Sequence, residues 1–171
     1  MAKTDAQYRR ACHRAKGGTD EWFTPPEIIQ ALGVFDLDPA CGPLCKTKTA
    51  ARKIGPKRDG LRAKWRGRVW LNPPFSNAAP FIRRMMDHGD GIALIFTRMD
   101  ANWFQEAMQA AGWVFVFRGR IQFLRPGITN RHRCPLGCAL LPFGDRNVEA
   151  IRNAGFRGSL LQVDRLAKGG Q

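Results

Sequence analysis

The chain has 171 residues, 44% hydrophobic and 25% charged, which is the composition of one compact globular domain and excludes a wholly disordered chain. Its 28 Lys and Arg residues outnumber 14 Asp and Glu residues, and the net charge of +14 favours a nucleic acid as partner over a membrane surface or an acidic protein. It has neither an apolar run of about 18 residues nor an apolar signal core, which predicts a cytoplasmic protein that does not cross a membrane.

Three regions follow one another along the chain: a basic N-terminal arm at residues 1–19, a single domain at 20–165 and a short flexible tail at 166–171. The arm is rich in Arg and Lys and ends at Gly17-Gly18, which predicts a mobile segment followed by a hinge. Two interpretations of the arm stay open: a disordered tail, and an arm that lies along phosphates.

Hydrophobic periodicity in the domain alternates between the periods of helices and strands. In chain order it predicts a helix at 24–32, a strand at 34–38, a helix within 45–53, a strand at 68–71, a helix at 77–88, a strand at 92–96, a helix at 100–111, strands at 113–117, 121–124 and 136–143, a helix at 146–154 and a strand at 160–163. Thr24 and Asp100 are expected to cap the helices that they open, and Gly33 and Gly112 to end those helices.

Strands that alternate with helices predict an α/β fold around a mostly parallel sheet, and the adjacent strands late in the chain predict an antiparallel hairpin at the sheet edge. In open α/β sheets, ligands bind beyond the carboxyl ends of the strands. Two predicted strands end there in turns of unusual chemistry, Asp38–Gly42 and Asn72–Phe75. We expect both turns to face one crevice.

The turn Asn72-Pro73-Pro74-Phe75 suits the positioning of an amino group. Two prolines make the backbone rigid and remove two donors, so that nearby carbonyls are free to accept hydrogen bonds. Asn72 adds a side-chain carbonyl, and an exocyclic amine has two N–H donors for such acceptors. Phe75 supplies a face on which a flipped-out base can stack. The alternative interpretation is a tight turn after a strand.

The same tetrapeptide resembles the catalytic segment of amino-methyltransferases that act on adenine N6 or cytosine N4. The whole chain more closely resembles the small phage-type, Dam-like DNA N6-adenine methyltransferase family. The shared stretches are Glu21–Pro25, Phe35–Pro39, Asp59–Leu61, Trp65–Phe75, Arg98–Asp100 with Trp103-Phe104, and Arg118–Phe123. The resemblance implies a Rossmann-like methyltransferase fold in a single compact domain, S-adenosylmethionine as cofactor, and adenine N6 of DNA as the methylated position.

The resemblance also implies which residues hold the cofactor. The methionine part of S-adenosylmethionine would contact Thr24, Pro25, Asp38, Pro39, Ala40 and Gly42. Asp59 would accept from the adenine amine of the cofactor, and its alternative role is to cap a loop or helix. The sequence departs from the broader methyltransferase pattern because its cofactor turn has one glycine and because no acidic residue lies between Asp38 and Asp59 to hold the ribose. Asp36 is a possible substitute.

Contacts to DNA are expected from arginines near the crevice. A basic loop between the strands predicted at 121–124 and 136–143 carries cations that suit phosphates or a groove, although it also reads as a solvated loop. Arg98 follows a strand, where an ion pair with Asp100 is the alternative. The residues expected at DNA are Arg98, Arg125, Arg131 and Arg133. The chain has no room for a large target-recognition domain, and the sequence leaves monomer and homodimer open.

Five cysteines, an odd number without a secretory signal, predict reduced thiols. Cys41 and Cys45 share their spacing with Cys134 and Cys138, and this spacing also occurs at zinc sites, but no metal is expected. Cys138 lies in an apolar run and is expected to be a small buried hydrophobe.

Two further interpretations of the function remain. The first keeps the chemistry and changes the substrate to cytosine N4, an RNA base or a protein glutamine amide. The second is a non-catalytic DNA-binding protein on a methyltransferase scaffold, which the missing ribose carboxylate suggests.

Overall fold

The computed structural model describes residues 22–55, 58–125, 128–134 and 136–164. The predicted arm and tail lie outside these residues. The helices described are α1 (Pro26–Leu32), α2 (Ala78–His88), α3 (Asn102–Ala111) and α4 (Asp145–Asn153). The strands described are β1 (Leu37–Asp38), β2 (Arg52–Lys53), β3 (Val69–Leu71), β4 (Gly91–Phe96), β5 (Trp113–Phe117), β6 (Gln122–Arg125), β7 (Ile128–Arg133), β8 (Cys138–Phe143) and β9 (Gly158–Gln162).

Seven strands form one mixed sheet in the order β2-β1-β3-β4-β8-β5-β9. The pairs β1–β2, β1–β3 and β3–β4 are parallel. The pairs β4–β8, β5–β8 and β5–β9 are antiparallel. The α/β class is therefore confirmed, but the sheet is less parallel than predicted, because β8 runs against both of its neighbours in the middle of the sheet.

Helices cover both faces of the sheet. Side chains of α1 and α4 share one buried cluster with Trp70, Leu94 and Leu140, which point to the same face. Side chains of α2 and α3 share a second cluster with Leu71, Ala93 and other strand residues of the opposite face. Burial on both faces makes the central strands continuous apolar runs, and every residue of β4 and of β8 is buried. The result is a three-layer domain.

Helix ends are set by glycine more than by side-chain caps. Gly112, with a φ of 71°, ends α3 in the left-handed conformation that glycine adopts without strain, as predicted. Gly33 ends α1, also as predicted. The predicted caps are wrong: Pro25 and Ala101 occupy the N-cap positions and neither helix has a side-chain cap hydrogen bond.

Two regions differ in kind from their prediction. Residues 45–53 form no helix; they run as an irregular segment into the two-residue strand β2. In this segment Lys46 and Lys48 are exposed while Thr47 and Thr49 are buried, and an alternation carried by threonine gives no hydrophobic signal. The predicted basic loop is largely a strand, since β7 pairs with β6 in a separate two-stranded sheet. The antiparallel hairpin of the structure therefore pairs β6 with a segment that was predicted as a loop, and it stands apart from the main sheet instead of at its edge.

Arg68 joins three parts of one face. Its Nη1 donates to the carbonyl oxygens of Leu32 and Val34 at 2.9 and 3.0 Å, and its Nε donates to Asn147 Oδ1 at 2.7 Å. The guanidinium also lies over the ring of Phe35, 4.2 Å from its centroid. Burial, and next to it the charge of Arg146, lowers the pKa of Arg68, as expected for a cation that replaces water with protein acceptors.

Replacing Arg68 with Leu is therefore expected to lower the free energy of unfolding by about 2 to 4 kcal/mol, because the carbonyls at the end of α1 and the buried Asn147 lose their donor. Chemical denaturation measures this change. Arg66→Leu is the matched control, since Arg66 is an exposed arginine two residues away. Equal stability of the two variants would contradict the structural role of Arg68.

None of the helices in the described part of the chain is long and apolar enough to cross a membrane.

Candidate active site

A cavity of about 720 Å³ opens at the carboxyl ends of β1 and β3. Its size is that of a small-molecule or cofactor site. Both turns singled out from the sequence line it, so the expectation that they face one crevice is confirmed. The lining residues predicted for the site are Thr24, Asp38, Pro39, Ala40, Gly42, Asp59, Asn72, Pro73 and Pro74.

Asn72 is fixed by the segment that precedes α1. Its Nδ2 donates to the carbonyl oxygen of Trp22 at 2.6 Å and to Thr24 Oγ1 at 3.2 Å. A backbone carbonyl only accepts, so this contact settles which end of the amide carries the nitrogen. The other end, Oδ1, is shielded from water and has no hydrogen-bond partner among the described residues. The cavity wall thus holds an unsatisfied acceptor, which costs about 1 to 3 kcal/mol unless a ligand donates to it.

The proline pair leaves a second acceptor beside the first. The carbonyl of Pro74 accepts from the amide of Asn77 at 2.9 Å and closes the short turn Phe75–Asn77. The carbonyl of Pro73 accepts no backbone hydrogen bond within the described residues. Pro73 is buried and Pro74 is exposed. The turn therefore presents Asn72 and Pro73 as neighbouring acceptors on a backbone that two pyrrolidine rings hold rigid.

Asp38 is a buried carboxylate at the end of β1. Its Oδ1 accepts from the amide of Ala40 at 3.0 Å, and its Oδ2 accepts from Thr49 Oγ1 at 2.5 Å. Each carboxylate oxygen has two lone pairs, so one further donor can bind at each. Burial raises the pKa of Asp38 from an ordinary 3.8 to about 6, and the two hydrogen bonds and the charge of Lys53 offset part of that rise. Asp38 is thus a carboxylate that a cationic ligand would stabilise.

Thr24 is buried and is held from two sides. Its Oγ1 accepts from Asn72, and its carbonyl oxygen accepts from Thr47 Oγ1 at 2.8 Å. The irregular segment around Thr47 and Thr49 therefore supports both the Thr24 segment and Asp38. These contacts join chain segments more than ten residues apart in sequence into one wall.

Asp59 lines the cavity and also caps a local turn, which is the alternative role considered from the sequence. Its Oδ1 accepts from the amide of Leu61 at 2.9 Å, which caps the local turn, and its Oδ2 lies 3.4 Å from Arg62 Nε. Asp38 and Asp59 are the two acidic residues among the described residues that line the cavity. Asp36 does not line it: its carboxylate accepts from the amide of Arg68 at 2.7 Å, at the opposite end of β1.

Gly60 is required because two turns touch at this position. A Cβ atom at residue 60 would lie 1.8 Å from the carbonyl oxygen of Pro39, in the turn that follows Asp38. The contact is with backbone, so a side chain cannot simply rotate away. Gly60→Ala is therefore expected to displace the turn, to weaken cofactor binding at least about tenfold, and to lower the free energy of unfolding by about 1 to 3 kcal/mol.

Gly55→Ala is the control for this substitution, since Gly55 lines the same cavity but the nearest atom to its added Cβ is 3.9 Å away, at ordinary contact. Calorimetric titration with S-adenosylhomocysteine and a thermal melt measure the two effects. A Gly60→Ala protein that behaves like Gly55→Ala would show that the contact with Pro39 is not needed.

A family model described as DNA N-6-adenine-methyltransferase (Dam) matches residues 11–168. The chain belongs to this family. The resemblance drawn from the motifs is thereby confirmed. No solved structure matches the chain significantly.

Two phage proteins are similar to the chain, and both are named DNA N-6-adenine-methyltransferase. The one from Escherichia phage T1 is 31% identical over 103 residues, which are 54% of this chain and 42% of that protein. The one from Haemophilus phage HP1 (strain HP1c1) is 31% identical over 121 residues, 64% of this chain and 69% of that protein. The chain thus spans less than half the length of the T1 relative and about two thirds of the HP1 relative.

Phe75, the last residue of the family's tetrapeptide, packs away from the cavity. Its ring stacks on Phe96 with centroids 3.6 Å apart, and it meets Phe123 edge to face at 6.2 Å. Pro74 and Ser76 line the cavity and Phe75 does not. Phe75 therefore connects the turn Asn72–Phe75 to β4 and to the β6–β7 hairpin.

Of the four arginines expected at DNA, the three whose side chains are described, Arg98, Arg131 and Arg133, do not line the cavity. Arg98 lies 3.5 Å from Asp100, so the ion pair considered from the sequence is present. Arg131 on β7 forms an ion pair with Glu27 on α1. Arg133 is exposed at the end of β7. Arg125 belongs to β6, and its side chain is outside the described part.

The cysteines form two close pairs. Cys41 and Cys45 line the cavity. The hydrogen bond between them lowers the pKa of Cys45 to about 7, although burial opposes this change, and the same hydrogen bond together with burial raises the pKa of Cys41. Cys134 and Cys138 lie with sulfur atoms 3.6 Å apart. All four are free thiols, and Cys138 is buried as predicted. No group of three or more His, Cys, Asp or Glu in the described ranges could hold a metal ion.

Two residues of the site could not be found from the sequence. Trp22 supplies the carbonyl that orients Asn72, and Thr49 supplies the hydroxyl that donates to Asp38. A backbone carbonyl leaves no trace in residue identity. Thr49 lies in the segment without readable periodicity, and a threonine next to a lysine resembles surface chain.

Proposed function

We propose that the protein is an S-adenosylmethionine-dependent DNA methyltransferase that acts on adenine N6. The observation that carries this proposal is the unsatisfied Oδ1 of Asn72, a residue of the cavity wall, next to the carbonyl of Pro73, which accepts no backbone hydrogen bond within the described residues. Two fixed acceptors match the two N–H donors of an exocyclic amine. Family membership and the names of both phage relatives support adenine as the base.

The residues of the cavity fit the proposed cofactor. The Asp38 carboxylate, with acceptor capacity left on both oxygens, suits the ammonium of the methionine part, and Thr24 and the turn Pro39–Gly42 would enclose that part. Pro25, which the resemblance also implied, does not line this cavity. Asp59 would accept from the adenine amine of the cofactor. When bound, S-adenosylmethionine supplies an electrophilic methyl group on a sulfonium.

The chain's own contribution is positioning. Asn72 Oδ1 and the Pro73 carbonyl would accept hydrogen bonds from both amine hydrogens of the target base. The lone pair of the amine nitrogen would then point toward the methyl group of the cofactor. Asn72 itself cannot swing, because Trp22 and Thr24 hold its Nδ2. Well-oriented reactants gain about 7 to 11 kcal/mol at best. Phe75 would support this geometry by fixing the turn from behind rather than by stacking on the base.

The sheet supports the same proposal. The parallel strands β1, β3 and β4 end at the cavity or beside it, which is where open α/β sheets bind ligands. We infer that the domain has the Rossmann-like methyltransferase fold, with the reversed strand β8 as part of its sheet.

Transfer of a labelled methyl group from S-adenosylmethionine to unmethylated duplex DNA tests the proposal, with mass analysis of the digested nucleosides. The expected product is N6-methyladenine. If the product is N4-methylcytosine, or if the methyl group is transferred to RNA or to a protein amide instead, the proposed substrate is wrong. Absence of any transfer together with intact DNA binding would favour a non-catalytic DNA-binding protein. In that case saturating S-adenosylmethionine would also leave the melting temperature unchanged.

A further inference from the structure

A second depression lies on the other side of the Thr24 segment. It has a volume of about 310 Å³ at the carboxyl end of β5, next to the β6–β7 hairpin, and we call it the arginine cleft. Four arginines line it: Arg118, Arg120, Arg131 and Arg157. Arg118 and Arg157 are held side by side, because the amide of Arg118 donates to the carbonyl of Arg157 at 2.9 Å.

The charge of the arginine cleft is largely uncompensated. Glu27 is the single acidic residue among the described residues that line it, and Arg131 already pairs with it. Arg118, Arg120 and Arg157 are exposed, and none has an ion pair with a carboxylate in the described ranges. Three arginines that line one depression without counter-charges favour an anion bound there.

The arginine cleft adjoins the cavity. Thr24 lines the cavity and the next residue, Pro25, lines the arginine cleft, so the two sites adjoin along this segment. The segment is firm, since Phe23 and Leu124 of β6 exchange backbone hydrogen bonds of 2.9 and 3.0 Å.

We propose that the arginine cleft binds the phosphodiester backbone of duplex DNA next to the base that enters the cavity. This inference rests on the proposed function and adds to it the surface on which the substrate lies. An open, exposed row of arginines suits a continuous polyanion, whose charges recur along the strand, and it carries no sequence information. Arg118, Arg120 and Arg157 contact phosphates, while Arg131 holds the hairpin against α1.

The test compares two triple variants with the same loss of charge. The cleft variant is Arg118→Gln/Arg120→Gln/Arg157→Gln. The control variant is Lys64→Gln/Arg66→Gln/Arg83→Gln, which changes three exposed cations that line neither the cavity nor the arginine cleft. Fluorescence anisotropy with a labelled duplex of unmethylated DNA, repeated at several salt concentrations, gives the affinity and its salt dependence. Thermal melts and S-adenosylhomocysteine titrations establish that both variants are folded with an intact cavity.

Each lost phosphate contact makes the slope of log affinity against log salt shallower by about 0.9, so the cleft variant is expected to lose about 2 to 3 from the slope of the wild type. The control variant is expected to keep the slope of the wild type. Equal slopes for the two variants would overturn the inference, and so would a cleft variant that binds like the wild type.

Methyl transfer is measured separately, which keeps the two proposals distinguishable. If the wild type transfers methyl groups and the cleft variant binds DNA like the control variant, the proposed function stands and the proposed DNA-binding role of the arginine cleft is wrong. If the wild type transfers no methyl group but its DNA binding still depends on the three arginines, the proposed function is wrong and the DNA-binding role of the arginine cleft stands.

Discussion

Asn72→Ala is expected to reduce the rate of methyl transfer at least about 100-fold, because it removes the acceptor that orients the target amine. Cofactor affinity should change little, since Asp38 and its turn stay in place. The free energy of unfolding should change by less than about 1 to 3 kcal/mol, because the carbonyl of Trp22 loses its donor while the unsatisfied Oδ1 of Asn72 is removed as well. Single-turnover transfer of labelled methyl to duplex DNA measures the rate, and calorimetry measures the cofactor affinity.

Asn153→Ala is the matched control for this experiment. Asn153 is exposed at the end of α4 and does not line the cavity, and its loss should affect neither rate nor stability by much. An Asn72→Ala protein that retains transfer at the wild-type rate would exclude Asn72 from the reaction. A protein that loses cofactor affinity as severely as rate would assign Asn72 to the cofactor instead of to the base.

Asp38 should make cofactor binding depend on pH. Its pKa near 6 means that the carboxylate is mostly charged at pH 7 and mostly neutral at pH 5. The ammonium of the cofactor favours the charged form, so the dissociation constant of S-adenosylhomocysteine is expected to rise as the pH falls below about 6, by up to about tenfold per pH unit. At pH 7.5, Asp38→Asn should weaken binding by about 30-fold or more and remove the pH dependence.

Asp87→Asn is the control, because Asp87 is an exposed carboxylate on α2 away from the cavity. It should keep the wild-type affinity and its pH profile. A wild-type affinity that stays constant from pH 7.5 to pH 5, with the protein folded throughout, would show that the Asp38 carboxylate does not bind the ammonium.

The same residue predicts how the ligand-free protein responds to pH. Because the pKa of Asp38 is higher in the folded chain than the ordinary 3.8, the folded state keeps a proton that the unfolded state has already released. The free energy of unfolding should therefore fall as the pH rises from about 4 to about 6, by about 3 kcal/mol from this group. Asp38→Asn should not show this fall, and bound cofactor should reduce it.

The family, the α/β class and most of the site were determined by short stretches of sequence. Asn72-Pro73-Pro74 and Asp38-Pro39-Ala40 follow strands directly, and the carboxyl ends of parallel strands meet at one sheet edge. Both stretches therefore lie together once β1 and β3 pair in parallel. The positions at which α1 and α3 end were also determined by local sequence, since glycine alone adopts a positive φ there without strain.

Direction and partnership of strands were decided by the tertiary structure. The apolar run of β8 is buried on both faces and reads the same in either direction, so its pattern does not reveal that it runs against β4 and β5. The basic segment of β7 became a strand because β6 offered it a hydrogen-bonding edge. Polar side chains do not prevent pairing when one face of a ribbon stays in water.

Contacts between distant segments decided the chemistry of the site. The sequence contains Asn72 and Asp38 but does not show that Trp22 fixes the amide of Asn72 or that Thr49 donates to Asp38. It contains Phe75 but does not show that Phe96 takes up its ring. Each of these contacts joins residues that are separated along the chain by 11 to 50 positions. Local sequence patterns carry no information over such separations. The sequence by itself determined which groups are present, and the tertiary structure decided which atoms of those groups remain free for a ligand.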